Sequence, residues 1–262
     1  MKRIIIVVLI FLSVFAVNAQ SVDYLGKAKK YYAEGNCKGA KAYLDLYVEL
    51  GGAVDKAVRD FSAEVDKCLY GKDKGSSEKG KHNSHEYVDL GLSVKWATCN
   101  VGASKPEDYF AWGETKTKSS YKKDKCLTYG LGTSKLRSRG YIDSEGNLTS
   151  QYDAARANWG GTWRMPTYDE LNELKTQCTW TRTTQNGVNG YKVTSKINGN
   201  SIFLPAAGCR LGSSLYDAGS FGFYWSSTPS ESDSDSAYDL YFYSDNHDMG
   251  SYDGRYYGRS VR

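Results

Sequence analysis

Apolar positions fall into two textures along the chain. Between residues 20 and 70 they recur at helical spacing. Ala28, Tyr31 and Tyr32 share one face, then Ala40, Tyr43, Leu44 and Tyr47, then Val54, Val58, Phe61, Val65 and Leu69, which predicts three amphipathic helices. Glu34-Gly35-Asn36 supplies a turn, and Gly51-Gly52 ends the second helix. Residues 71–84, "GKDKGSSEKGKHNS", carry no apolar pattern and predict a flexible linker, with His82 and His85 as solvated residues within it or at its edge.

From residue 85 onward the period changes to two. Short runs such as "EYVDLGL", "SVKWATC", "DYFAWGET", "GYKVTSKI", "SIFLPAAG", "FYWSST", "AYDLYFYS" and "YYGRSVR" alternate with Gly and Asn turns. "GVNGYKV" and "INGNSIF" suggest a hairpin. One helix interrupts them: in "MPTYDELNELKTQC", Thr167 and Glu170 form a capping box and Leu171 and Leu174 an inner face. A second, shorter helix is expected over Ser150–Ala157. Few helices among many short strands give an α+β domain over 85–262, preceded by a small helical unit over 20–70.

In "AYDLYFY" strand alternation separates Tyr238, Leu240 and Phe242, a natural core face, from Asp239, Tyr241 and Tyr243 on the opposite face. The neighbouring segments "PSESDSDS" and "SDNHDMGSYDG" read as loops of Ser, Asp, Asn and Gly. From Ser213 to Arg262, Tyr, Ser, Asp and Asn make up 28 of 50 residues. Tyrosine offers large contact area on few rotors plus a hydroxyl, and small polar residues offer adaptable hydrogen bonds, the mixture that antibody paratopes use. The candidate contacts are Tyr216, Asp217, Asp239, Tyr241, Tyr243, Asp245, Asn246, Tyr252, Asp253 and Tyr256.

Composition narrows the classes. Of 262 residues, 22 are Tyr, 6 Trp and 27 Gly, against 3 His. Three histidines leave little room for metal or acid–base clusters. His247 is the only one in the folded part clear of the linker edge, and it falls in an Asp-rich segment. Asp233, Asp235, Asp245, Asp248 and Asp253 carry oxygens of the kind calcium takes, but no twelve-residue EF-hand is present and solvated loops are the default. The net charge is +4 and the last Lys is Lys196. An acidic, Lys-free C-terminal end argues against nucleic acid as a partner. No cofactor motif and no catalytic constellation stand out, so the reading is non-enzymatic.

Lys2 and Arg3, the apolar run Ile4–Val17 and the small-residue site Val17-Asn18-Ala19 predict a signal peptide over 1–19, with an uncut anchor as the competing reading. The run is shorter than the roughly 20 residues a span needs, and no later segment is apolar enough to cross a bilayer. The expected location is exported: periplasmic, outer-surface or secreted. Export permits disulfides. Among six cysteines, Cys37 begins one predicted helix and Cys68 ends the next, so antiparallel packing brings them together, as a disulfide or as two thiols.

The segments "EYVDLGLSVKWATCNVGA", "YFAWGET", "WRMPTYDELNEL", "FLPAAG", "YWSST" and "GRSVR", in that order over residues 86–262, resemble the Fibrobacter succinogenes major paralogous domain, common in exported proteins of gut Bacteroidetes. "WRMPT.DEL" is also similar to the helix entry of formylglycine-generating-enzyme-like domains. The resemblance implies a C-type-lectin-like fold with a displayed C-terminal sheet. Some such proteins are targets of diversity-generating retroelements, whose variable regions are rich in Tyr, Asn, Ser and Asp, and Tyr216–Tyr257 resembles such a region. Three features depart from the family: "PEDYF" is short, Cys209 replaces an aromatic, and the chain stops slightly early at Arg262. "YYAEGNCKGAKAYLDLYVELGG" resembles a single tetratricopeptide-type hairpin.

Together these features point to an exported binding domain for a glycan or a protein. The alternatives are a structural or adhesion subunit, with the N-terminal helices docking a partner in a surface assembly, and, further off, an enzyme of the formylglycine-generating-like class.

Overall fold

The computed structural model describes residues 23–70, 79–102, 108–251 and 254–262. The chain divides into two compact units, 1–74 and 75–262. The predicted signal peptide, most of the predicted linker, the start of "PEDYF", Tyr252 and Asp253 lie outside the described residues.

The first unit is helical. Helix α1 covers 23–33, α2 covers Cys37–Glu49 and α3 covers Lys56–Tyr70. The Asn36 side chain accepts from Gly39 N and caps α2, and Asp55 accepts from Val58 N at 2.9 Å at the start of α3. Ala28, Ala40, Leu44, Tyr47, Val58 and Val65 form the core. Val54, expected on the inner stripe of α3, is exposed because the helix begins after it. Gly52 is required where it stands, since a Cβ there would run into the Tyr47 ring. A disulfide joins Cys37 to Cys68 with Cα atoms 5.7 Å apart, as antiparallel packing of α2 on α3 demands.

The second unit mixes short helices with small antiparallel sheets, so the whole chain is α+β with a helical N-terminal part. Strands β1 (Lys79–His82), β2 (His85–Val88) and β3 (Trp96–Ala97) form one sheet. The predicted linker therefore ends earlier than its composition implied. Lys79–His82 is a strand because it pairs residue for residue with His85–Val88, an interaction that a Gly- and Lys-rich segment does not announce. Three short helices follow: α4 (Thr133–Ser138), α5 (Ala154–Trp159) and α6 (Tyr168–Gln177), the last closed by the expected Thr167/Glu170 capping box.

A meander of β4 (Cys178–Gln185), β5 (Val188–Ser195) and β6 (Ser201–Pro205) comes next, then the hairpin β7 (Cys209–Leu211) and β8 (Ser214–Tyr216). The last sheet has the order β11-β10-β9, from β9 (Phe221–Pro229), β10 (Ala237–Tyr243) and β11 (Asn246–Gly250). The "SDNHDMG" part of the expected Asp-rich loop is thus mostly a strand paired with β10. One core packs Leu171 and Leu174 of α6 against Val193, Ile202, Leu204, Tyr224, Leu240 and Phe242. A second gathers Phe110, Trp112, Leu136, Trp159, Met165, Trp225 and Val261. Gly222 faces Phe242 across the β9–β10 ladder, where any Cβ would strike the ring. No helix among the described residues is long and apolar enough to cross a membrane.

The terminal "YYGRSVR" run forms isolated bridges rather than a full strand, linking Arg259 to Phe110, Gly258 to Arg210 and Ser260 to Tyr224. The run carries Arg259 and Arg262 into the interior, and Arg255 just before it is buried as well. Arg255 donates to the carbonyls of Ser236, Thr128 and Leu131 over the Trp112 ring. Arg262 donates to Ala97 O and Asn100 Oδ1. None of the three is a surface charge.

Candidate functional site

The predicted contact residues gather mainly on the last sheet. Register places Asp239, Tyr241 and Tyr243 of β10 opposite Trp225, Phe223 and Phe221 of β9, and cross-strand partners share a face. Leu240 and Phe242 turn the other way and are buried, as strand alternation predicts. Tyr238 is half-buried against the Tyr168 ring, because the register shift between Ala237 and Asp239 disturbs the alternation there.

The outward rings stack. Phe221 lies 4.9 Å from Tyr243 at 18° and 5.8 Å from Phe223 at 9°, and Tyr241 lies 6.2 Å from Tyr243 at 11°. The fully buried guanidinium of Arg259 lies 4.8 Å from the Phe223 ring and 5.8 Å from that of Tyr257. Tyr257 touches Tyr256 at 4.8 Å, and Tyr256 meets Tyr129 edge-on at 5.3 Å. Phe223, Phe221, Tyr243 and Tyr241 thus form one row and Tyr129, Tyr256 and Tyr257 a second cluster; Tyr243 is exposed and the other six rings are half-buried. Beside the second cluster Lys123 Nζ lies 5.4 Å from Tyr129 and 5.6 Å from Tyr256. The Tyr129 hydroxyl is held above its ordinary pKa, first by its hydrogen bond to Asp235.

Asp239 does not belong to the presented surface. It is 3% exposed and forms an ion pair with Arg259, itself 0% exposed and 4.4 Å over the Trp225 ring. The bridge between Tyr224 and Ser260 brings the arginine alongside β9, so a carboxylate expected to face a ligand instead faces an internal cation. Tyr216 is 47% exposed on β8, and Asp217 follows it with φ of 58°, its carbonyl accepting from Ser220 and Phe221. Asp245 and Asn246 are exposed at the β10–β11 turn, where Ser244 takes φ of 45°. Asp248 is tied to Lys175 of α6 at 2.6 Å, which holds its carboxyl below the usual range.

The ring residues missed from the sequence are Phe221, Phe223, Tyr257 and Tyr129. In "FGFYW" the alternation of Phe221, Phe223 and Trp225 was available, but aromatic Tyr224 on the opposite phase hid which face was outward.

His247 and the Cys99 and Cys126 thiols are half-buried, and Cys178 is buried. His247 sits on β11, not in a loop, stacked 4.6 Å from Trp180 at 17°, and burial lowers its pKa. Trp180 is half-buried between His247, Tyr191 and Phe242. Burial pushes the Cys178 thiol up to about 12 and raises Cys99 and Cys126. Among the described residues no group of His, Cys, Asp or Glu is arranged to hold a metal. His82 and His85 are not solvated linker residues: His82 Nε2 accepts from Thr162 N at 2.9 Å, its carbonyl accepts from Trp163 Nε1, and His85 stacks 4.4 Å from Trp159. Tryptophans far away in sequence close over the β1–β2 hairpin, which local composition cannot reveal.

Residues 168–262, from α6 to the terminal arginines, match the model of a domain family of unknown function, DUF8237. No curated protein matches the chain, and no solved structure matches it.

Proposed function

We propose that this protein is an exported, non-catalytic binding protein whose aromatic row is the contact face for a glycan or a protein. The observation that carries this reading is the row of stacked, unburied rings Phe223, Phe221, Tyr243 and Tyr241 on one face of the last sheet. A soluble surface gains nothing from aligning large rings in contact with solvent, and contiguous exposed apolar patches mark interaction sites. The nearly parallel rings of Phe221, Phe223, Tyr241 and Tyr243 suit the apolar face of a sugar or the side chains of a protein partner, and the exposed Asp245 and Asn246 at the β10–β11 turn supply hydrogen bonds. The disulfide and the N-terminal apolar run support export. The packed imidazole of His247 and the high pKa of the Cys178 thiol favour binding over catalysis. The C-type-lectin-like resemblance fits the same role, and diversification of the row across strains would vary its specificity.

The test is a paired glycan and protein array with the full chain, repeated with Tyr241→Ala/Tyr243→Ala. A hit weakened about tenfold or more by the double variant is expected. Unchanged binding with a native melting curve would remove the row from the site. A structural or adhesion role has one observation of its own, the exposure of Leu46, Val48 and Val54 on the helical unit. Retention of array hits by a chain with those three residues changed to Ser separates the two readings.

A further inference from the structure

Positive charge is concentrated in one stretch of the second unit. Residues 116–139 carry eight Lys and Arg against a single acid, Asp124. That is +7 in a chain whose total is +4, so all the rest together is net negative, at −3. Every one of these cations except Lys118 is exposed, and among the described residues Lys118 alone of them has an ion-pair partner, Glu114.

The fold gathers the first half of this stretch on a fixed ledge. Tyr121 is buried beneath it: its hydroxyl donates to Tyr109 O and accepts from Lys118 N, and its backbone pairs both ways with Gly212. Above that anchor Lys122 caps a single helical turn, Lys123–Lys125, and all three lysines face solvent. Lys118 Nζ donates to Lys125 O, and the buried Glu114 holds both Lys118 and the backbone N–H of Leu127. Cys126 is half-buried and Thr128 buried, its hydroxyl donating to Trp112 O, so alternation turns Leu127 outward between them. At 60% Leu127 is the most exposed large apolar side chain among the described residues. Lys123 Nζ stands over the half-buried Tyr129 ring beside it. Helix α4 then adds Lys135 and Arg137, with Arg139 just past its end. Asp124 on the turn and Asp235, bonded to Tyr129, oppose this charge, but neither forms an ion pair with the three lysines.

Charge alone would suit any polyanion, but a leucine held outward among the lysines adds nothing to that. Cations around a fixed apolar tip match an anionic bilayer, where each lysine gains from the surface potential and the tip enters the headgroup boundary. We propose that this ledge docks the protein on an anionic lipid surface, with Leu127 inserted and Lys122, Lys123 and Lys125 against the headgroup phosphates. The chain lies on the membrane by this face and does not cross it. The inference goes beyond the aromatic row and does not depend on it.

Co-sedimentation of the full chain with vesicles tests it. One set is phosphatidylcholine alone, the other an equal mixture of phosphatidylcholine and phosphatidylglycerol, and soluble polygalacturonate is the comparison polyanion. The N-terminal apolar run would enter either vesicle, and its contribution is common to parent and variants, so the readout is the difference between them. The parent should prefer the mixed vesicles, and salt at about 0.5 M should remove that preference. On the mixed vesicles Lys122→Gln/Lys125→Gln should lower the partition coefficient about tenfold or more, and Leu127→Ser about fivefold or more. The three side chains are exposed, so both variants should melt as the parent does. Tyr241→Ala/Tyr243→Ala should partition unchanged, so this face and the row stand or fall separately. Equal partition of the parent into both vesicles, or a Leu127→Ser variant that partitions as the parent does, would overturn the proposal. So would lysine substitutions that abolish binding to polygalacturonate and leave vesicle binding as it was.

Discussion

Asp239 illustrates how one side chain changes meaning with its surroundings. On the alternation of β10 it belongs with Tyr241 and Tyr243, and beside exposed tyrosines a carboxylate looks like a ligand contact. Arg259 converts it into half of an internal ion pair roofed by Trp225 and Phe223. Asp239→Asn removes the charge that faces a fully buried guanidinium, and breaking such a pair costs about 3–5 kcal/mol. Urea unfolding of the variant should show a loss of that order, and a loss under about 1 kcal/mol would mean the pair is solvated. Residue type and strand alternation together point to the ten candidate contacts. Of those among the described residues, Tyr216, Asp217, Tyr241, Tyr243, Asp245, Asn246 and Tyr256 are unburied, whereas Asp239 is buried against a partner 20 residues away in sequence.

At the scale of elements, periodicity did well where an element has one wet and one dry face. The α6 capping box, the three N-terminal helices and the inward set Leu240/Phe242 all follow from it. It did poorly on strands whose identity rests on pairing. β1, β4 and β11 are polar or small-residue segments that become strands because a neighbour supplies the ladder. β9 shows a different difficulty, with aromatics on both faces. Gly222 is the hinge of that arrangement: it leaves room for Phe242 to enter the core so that Phe221 and Phe223 can stay outside. Gly222→Ala should destabilise the second unit by about 1–3 kcal/mol through overpacking. A thermal melt that matches the parent would show that the ring moves aside freely.

For the whole molecule, the division into two compact units separates two kinds of stabilisation. The helical unit has a small core of alanines, valines, Leu44 and Tyr47, supplemented by a disulfide that closes a 31-residue separation. The second unit holds two larger clusters and its arginine-filled interior, and no disulfide among the described residues crosses it. Reduction should therefore destabilise the helices by about 2–4 kcal/mol while leaving the β-rich unit as it was. Scanning calorimetry with and without reductant checks this: one transition should move down and the other stay. A shift of both together would mean that the units unfold as one.

Local chemistry in the sequence determined what depends on near neighbours: helix periods, caps, the meeting of Cys37 with Cys68, and the inward phase of Leu240 and Phe242. Each is set by interactions a few residues or one helical hairpin apart. The tertiary structure alone decided which polar and aromatic groups face outward. The arginines of 255–262 are drawn inside by carbonyls and a carboxylate from distant segments, the rings of Tyr129 and Tyr256 meet from positions far apart in sequence, and Phe221 stacks on Tyr243 only through the β9–β10 pairing. The physical reason is that a charge or a ring is placed by what offsets its desolvation, and here the offsetting groups come from far along the chain.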